Sequence, residues 1–177
     1  MRTCSVAGAA MLAISFCCAA SAQPQCSMQS VVGKWAYNLA GWYIPAGATA
    51  PVQVAGIGVF TIDWSGKVTG PATWGMAMPF AGTPIVAGQM LEYDFVSGSI
   101  EVTADCTGFL STMLKIKGTP IPTMGPYVGR IVVLPDKGEI LAMSFQAPGT
   151  EKPMWTYSLR RISAVPGTVE WPSSPSQ

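Results

Sequence analysis

The chain has 177 residues, of which 49% are hydrophobic and 11% are charged, and it contains no histidine. The lack of histidine excludes Ser-His-Asp and Cys-His catalysis, histidine-bound zinc or copper, and the usual general base at neutral pH. The basic residues form no cluster larger than Arg160-Arg161, so the chain lacks the several phosphate contacts that nucleic-acid binding requires.

The first 22 residues have the three parts of a secretory signal peptide. Arg2 supplies the positive charge, an apolar run follows to about Ala20, and Ala20-Ser21-Ala22 has the small residues that signal peptidase requires. The run is short and rich in Ala and Ser, which argues against a transmembrane anchor. We therefore expect cleavage after Ala22 and a bacterial protein exported to the periplasm or the exterior, with no membrane span after cleavage.

The cysteines agree with export. Three of the five leave with the signal peptide, and Cys26 and Cys106 remain. Two remaining cysteines in an oxidising compartment are expected to form a disulfide bond, and two free buried thiols are the alternative. Removing Arg2 leaves nine basic and nine acidic residues, so the exported chain is close to neutral.

Short β-rich runs separated by turn residues follow, and no segment keeps a helical period for three turns. We predict strands near 34–43, 53–64, 67–76, 88–96, 99–104, 109–117, 127–134, 139–146 and 154–162. Hairpin turns are expected at 63–67, 105–108 and 136–138, since each combines Asp with Gly. Three hairpins in succession favour antiparallel neighbours.

Apolar and polar residues alternate along the predicted strands, so each strand has one apolar face and one polar face. In the last strand Trp155, Tyr157 and Leu159 share one face, which is typical of an antiparallel sheet that curls or packs on another sheet. About eight hairpin-connected strands suit a closed antiparallel up-and-down β-barrel, which also removes exposed edges. A two-sheet β-sandwich is the alternative. We assign the all-β domain to residues 23–163 and a flexible tail to 164–177.

Gly56 and Gly58 lie within the second predicted strand. No helix follows them, so they do not match a dinucleotide-binding fingerprint. A bulge or close packing of the backbone is the better interpretation.

The first and last predicted strands resemble a known arrangement. Gly33-Lys34-Trp35 opens the first strand, and Arg160 or Arg161 closes the last. This pattern is similar to that of the calycins, which include lipocalins and avidins, where a G-x-W tryptophan packs under an arginine from the end of the barrel. The resemblance implies a barrel-closing role for Trp35 and Arg161, because alternation places Arg161 on the face of the inward aromatic residues.

A second resemblance covers much of residues 25–115. Cys26-Ser27, the G-x-W of the first strand, the glycine-rich segment 55–66 and Ala104-Asp105-Cys106-Thr107-Gly108 occur in this order. They look like a group of exported bacterial proteins of unknown function. The resemblance supports the disulfide bond and the barrel, and it implies no activity.

Carboxylates are the remaining candidates for catalysis. Glu92 and Asp94 are two residues apart and therefore share one face of a strand. If that face pointed into a barrel, the pair would have raised pKa values and would serve as acid and base. The alternative, which we favour, places Leu91, Tyr93 and Phe95 inside.

Tryptophan and methionine give the stronger indication of function, because both form adaptable apolar surfaces in binding sites. A filled core is the alternative. We expect a small apolar or aromatic ligand near the open end of the barrel, with no cofactor and no metal. The expected lining residues are Trp42, Tyr43, Trp74, Met76, Met113, Met143 and Tyr157.

Two other functions stay open. A structural or interaction protein of the cell surface would work through loops 44–52 and 119–126, and a solid core with exposed apolar loops would favour it. A cofactor-free cyclase or isomerase would need Glu92, Glu101 or Arg130 to point into the barrel. The sequence determines neither whether the protein is an enzyme nor its oligomeric state.

Overall fold

The strands of this chain close into one antiparallel barrel. The computed structural model describes residues 25–76, 88–120, 123–147 and 149–164. The strands are β1 (Gly33–Ile44), β2 (Val52–Ile62), β3 (Val68–Met76), β4 (Met90–Val102), β5 (Thr107–Ile116), β6 (Met124–Leu134), β7 (Glu139–Gln146) and β8 (Lys152–Ser163). Each strand pairs with the next one in sequence, and β8 pairs with β1. The predicted up-and-down barrel is confirmed, and the sandwich alternative is wrong.

The remaining described segments are turns and short 3-10 helices, Met28–Ser30 and Pro135–Lys137. None of the described helices is long and apolar enough to cross a membrane. The predicted signal peptide, residues 1–22, lies outside the described residues, as does the predicted tail apart from Ala164.

One strand of the barrel, β4, combines two segments that the sequence predicted as separate strands. The predicted strands 88–96 and 99–104 form the continuous β4, whose pairing with β5 shifts register between Phe95 and Ser97. A β-bulge takes up the extra residue there, so the strand bends without ending. Gly98 permits this close pairing, since a Cβ atom on it would lie 2.6 Å from the carbonyl oxygen of Ser111.

The three predicted hairpin turns are confirmed. In the first, Asp63 Oδ1 accepts hydrogen bonds from the backbone N–H groups of Ser65 and Lys67 at 2.8 and 3.0 Å. In the second, the left-handed position falls on Cys106, with φ 65°, rather than on the nearby glycine. In the third, Gly138 has φ 60° and ends the short helix before β7.

Aromatic side chains fill the barrel interior, with neighbouring ring centroids 4.4–6.1 Å apart. Small residues on adjacent strands make room for these rings. Gly56 is paired with Trp74 and Gly58 with Tyr37 across the ladder. A Cβ atom would lie 2.3 Å from the Trp74 indole at Gly56 and 2.5 Å from the Tyr37 ring at Gly58. The prediction of close packing at these glycines is confirmed.

The end of the barrel at which the chain enters β1 and leaves β8 is the lower end, and the opposite end is the upper end. At the lower end, Cys26 and Cys106 form the predicted disulfide bond, with Cα atoms 4.9 Å apart. The Arg161 guanidinium lies 4.6 Å from the ring centre of Trp35 and donates a hydrogen bond to the carbonyl oxygen of Ser30. Trp35 Nε1 donates to the Val31 carbonyl at 2.6 Å. These contacts seal the lower end.

Removing the disulfide bond by Cys26→Ser, Cys106→Ser or both is expected to lower the free energy of unfolding by about 4–5 kcal/mol, because a loop of 80 residues is no longer closed in the unfolded chain. Urea unfolding followed by tryptophan fluorescence measures the loss. All three variants are expected to lose the same amount, since each breaks the same bond. A double variant that loses twice as much as either single variant would contradict this expectation.

Arg161→Met is expected to lower the free energy of unfolding by about 2–3 kcal/mol, because it removes both a cation–π contact and a charged hydrogen bond. Arg160→Met is the matched control. Arg160 is exposed and forms a surface ion pair with Glu139 at 3.2 Å, so its loss is expected to cost less than about 1 kcal/mol. Equal losses for the two variants in thermal unfolding would show that Arg161 does not hold the lower end.

Candidate functional site

The predicted ligand-lining residues separate onto two faces of the barrel. Tyr43, Trp74 and Tyr157 point inward and are 3–4% exposed. Trp42 and Met143 are instead 49% and 56% exposed on the outer wall, so their predicted place inside the barrel is wrong. Successive residues of a strand point to opposite faces, and Trp42 therefore cannot line the interior together with Tyr43.

Of the two other predicted lining methionines, only Met113 has a side chain that the structure describes. Met113 is half-buried on β5, between Thr112 and Leu114, which are the buried residues of this stretch. The backbone of Met76 ends β3, and its side chain lies outside the described part of the structure.

The charged residues that an enzyme was expected to place inside the barrel lie outside it. Glu92, Glu101 and Arg130 are all exposed. On β4 the inward positions are held by Tyr93, which is fully buried, and by Phe95, as the favoured alternative predicted. The described strands therefore give no support to acid–base chemistry at these residues.

Six residues meet near the upper end of the barrel and form what we call the upper cluster: Tyr43, Trp74, Tyr93, Tyr127, Glu151 and Trp155. The Trp155 ring is its centre, with ring centroids 5.6 Å from Tyr43, 5.3 Å from Tyr127 and 5.5 Å from Trp74. The Tyr93 ring lies 5.2 Å from Trp74. Five different strands contribute these rings, so the cluster exists only in the closed barrel.

Hydrogen bonds below the upper cluster satisfy both indole groups. Trp74 Nε1 donates to the Tyr37 hydroxyl at 2.9 Å, and Trp155 Nε1 donates to the Tyr157 hydroxyl at 2.7 Å. The Ser144 hydroxyl lies 3.3 Å from the same Tyr157 oxygen. The middle of the barrel is therefore both filled and satisfied in its polar groups.

Two oxygens of the upper cluster lack such partners. Tyr93 Oη and Glu151 Oε2 are buried and have no hydrogen-bond partner among the described residues. A buried polar atom without a partner costs about 1–3 kcal/mol, and most proteins avoid it. The Glu151 carboxyl group has side-chain hydrogen bonds with Tyr43 and Tyr127, and Tyr43 interacts electrostatically with Tyr93, which places all these groups at the same end of the barrel.

The environment of the upper cluster disfavours tyrosinate. Burial raises the pKa of Tyr43 well above its usual range, and the Glu151 carboxylate beside it raises it further. Burial also raises the pKa of Tyr127, with smaller contributions from Tyr43 and Glu151. Burial alone accounts for the raised pKa of Tyr93. The tyrosines therefore act in this site as neutral hydroxyl groups.

The sequence-based prediction missed Tyr127 and Glu151. The alternation of β6 would have identified Tyr127, because it shares the inward face with Ile131 and Val133. No sequence pattern marks Glu151, which lies in the link between β7 and β8 and contacts Tyr43 and Tyr127. Among the described residues, no three Cys, Asp or Glu side chains lie close enough together to hold a metal ion.

Comparison of the chain with protein-family models, with curated proteins and with solved structures gave no match. The resemblances to calycins and to a group of exported bacterial proteins therefore stay predictions.

All five tyrosines of the chain are expected to ionise together, and only when the barrel unfolds. Burial raises the pKa of each above the ordinary value of 10.0. The folded protein keeps protons that the unfolded chain releases above pH 10, so stability is unaffected below that pH. Above it, stability falls by roughly 1.4 kcal/mol per tyrosine and pH unit.

Near-ultraviolet absorbance of tyrosinate, followed against pH together with far-ultraviolet circular dichroism, checks this expectation. The two signals are expected to change in one transition. Tyrosinate absorbance that develops near pH 10 while the β-sheet signal is intact would contradict it.

Proposed function

We propose that the protein is an exported binding protein that holds a small apolar or aromatic ligand, carrying a protonated amine, at the upper cluster. The observation that carries the proposal is the pair of buried oxygens, Tyr93 Oη and Glu151 Oε2, without hydrogen-bond partners among the described residues. Buried polar atoms are almost always paired, and in this proposal a ligand supplies the partner that the described residues do not. The disulfide bond is compatible with export.

A protonated amine suits the chemistry of the upper cluster. An ammonium group donates up to three hydrogen bonds, and its charge is attracted by the Glu151 carboxylate. Aromatic rings surround the two oxygens, and a cation that enters among them gains about 0.5–2 kcal/mol from contact with a π face. The same rings offer packing area to an apolar or aromatic body. A carboxylate or phosphate ligand would be repelled by Glu151.

The filled interior limits how deep the ligand sits. Trp74 and Trp155 already donate their N–H groups to tyrosines below them, and the rings beneath pack against one another. The proposed ligand therefore rests at the upper end, above these rings, which keeps the expected position near the open end of the barrel.

The binding hypothesis is tested by titrating the protein that begins after Ala22 with phenethylamine and, separately, with phenylpropionate, a matched anion of similar shape. Tryptophan fluorescence and calorimetry report binding. We expect the amine to bind and the anion to bind at least tenfold more weakly. Glu151→Gln is expected to weaken amine binding by about tenfold or more, because a charge-assisted hydrogen bond contributes about 1.5–3 kcal/mol.

Two further variants separate binding from stability. Tyr93→Phe removes a buried hydroxyl without a partner, so it is expected to stabilise the free protein by about 1 kcal/mol while it weakens amine binding. Glu101→Gln removes the same charge as Glu151→Gln from an exposed position near the lower end, and binding is expected to be unchanged. Equal binding of the amine and the anion, or an unaffected Glu151→Gln variant, would overturn the proposal.

A further inference from the structure

The outer wall of β6, β7, β8 and β1 exposes six large apolar side chains. Their exposed fractions range from 44% to 56%. We call this surface the apolar wall, and its members are Trp42, Val132, Leu141, Met143, Phe145 and Met154. Exposed apolar patches of this extent mark interaction sites on soluble proteins.

Strand register makes the apolar wall continuous. Val132 is paired with Leu141 across β6 and β7, and Met154 is paired with Trp42 across β8 and β1. Phe145 lies two residues after Met143 and points to the same side of β7. The six side chains therefore form one patch rather than scattered contacts.

A groove of about 590 Å³ runs beside these side chains. Small side chains on β8 and β1 form its floor, namely Ala40, Thr156 and Ser158. Leu141 and Met143 stand along one border as a ridge, because Leu141 is paired with Ser158 and Met143 with Thr156. The same face thus carries a ridge and a groove side by side.

We propose that the apolar wall binds a second copy of this chain, forming a two-fold symmetric dimer. A two-fold axis requires one surface that is complementary to itself. The ridge of Leu141 and Met143 in one copy fits the groove over Ala40 in the other copy, and the reverse contact forms at the same time. A partner of a different kind would need only the ridge or only the groove, whereas a second copy uses both at once.

The available area is somewhat below that of a standard interface. The half-exposed rings of Trp42 and Phe145 each offer roughly 100 Å², about half of what a large aromatic residue can bury, and the four aliphatic side chains offer less, so the six offer at most roughly 600 Å². A stable interface buries about 800 Å² per partner. The groove floor and Ile57, which is 57% exposed and is paired with Asn38 at the edge of the groove, extend the patch towards that size.

Few charges lie on these strands. Glu139 and Arg160 form an ion pair with each other at 3.2 Å at the lower border of the wall. Arg130 lines the groove beside Met143, with which it is paired, and its guanidinium lies 5.6 Å from the centre of the Phe109 ring. The exported chain has equal numbers of acidic and basic residues, so two copies carry no net charge that would repel.

Sedimentation velocity of the protein that begins after Ala22, from about 1 to 100 µM, tests the dimer. We expect a monomer–dimer equilibrium in this range, typical of an interface of standard size or below. Met143→Asp on the ridge and Thr156→Arg on the groove floor are each expected to raise the dissociation constant by at least about thirtyfold, as loss of a central interface residue does.

Val96→Asp is the matched control. Val96 is 40% exposed on β4, on the opposite side of the barrel. The Val96→Asp variant is therefore expected to dimerise with the same dissociation constant as the unaltered protein. Circular dichroism confirms that each variant is folded. A folded protein that is monomeric at 100 µM, or a dimer that neither wall variant weakens, would overturn the proposal.

Cross-linking tests the ridge-to-groove contact itself. Equal amounts of Leu141→Cys and Ala40→Cys proteins are mixed and oxidised gently, with the native disulfide bond intact. A cross-linked heterodimer is expected in the mixture and not in a mixture of Val96→Cys with Ala40→Cys. Failure of the ridge and groove pair to cross-link, in a protein that does form dimers, would refute this arrangement of the two copies. The residues are separate from the upper cluster, so this outcome is independent of ligand binding.

Discussion

The packing of large rings against glycine and alanine is the constraint on which this barrel depends. An eight-stranded barrel has an interior just wide enough for side chains to fill it. Here Trp155 is paired with Gly41, Trp74 with Gly56 and Tyr93 with Ala72, so each ring lies where the adjacent strand has almost no side chain. Larger residues at the small positions would force rings or strands apart.

The two ends of the barrel are held by different contacts. At the lower end, the disulfide bond ties the segment before β1 to the β4–β5 turn, and Arg161 ties the same segment to the last strand. Arg161 Nε is nevertheless buried without a hydrogen-bond partner among the described residues. At the upper end, neighbouring rings surround oxygens of Tyr93 and Glu151 that also lack such a partner.

The filled interior also decides where interactions can take place. Side chains that would have lined a hollow barrel are divided between a packed core and the outer wall. Tyr43 belongs to the core, whereas its neighbour Trp42 faces out and joins Met143 on the apolar wall. The aromatic and methionine side chains of the chain are thus divided between filling the barrel and forming an exposed apolar surface.

The sequence predicted the barrel, its three hairpins, the disulfide bond and the inward face of β4, because each depends on local alternation, turn chemistry or cysteine count. It misplaced Trp42 and Met143, because they were chosen by residue type without regard to their position in the alternation. It split β4 in two, because the bulge near Ser97 resembles the end of a strand when its pairing with β5 is unknown.

By itself, the sequence determined the class of fold and the strand order, since a two-residue period and short turns leave an antiparallel neighbour as the simplest partner for each strand. Only the tertiary structure decided which side chains meet at each end and on the outer wall. Closure of β8 on β1 brings Tyr43, Tyr93, Tyr127 and Glu151 to one end from distant parts of the chain. It also sets Leu141 and Met143 beside the small residues of β8 and β1. These juxtapositions depend on the curvature and register of the closed sheet, which no local pattern encodes.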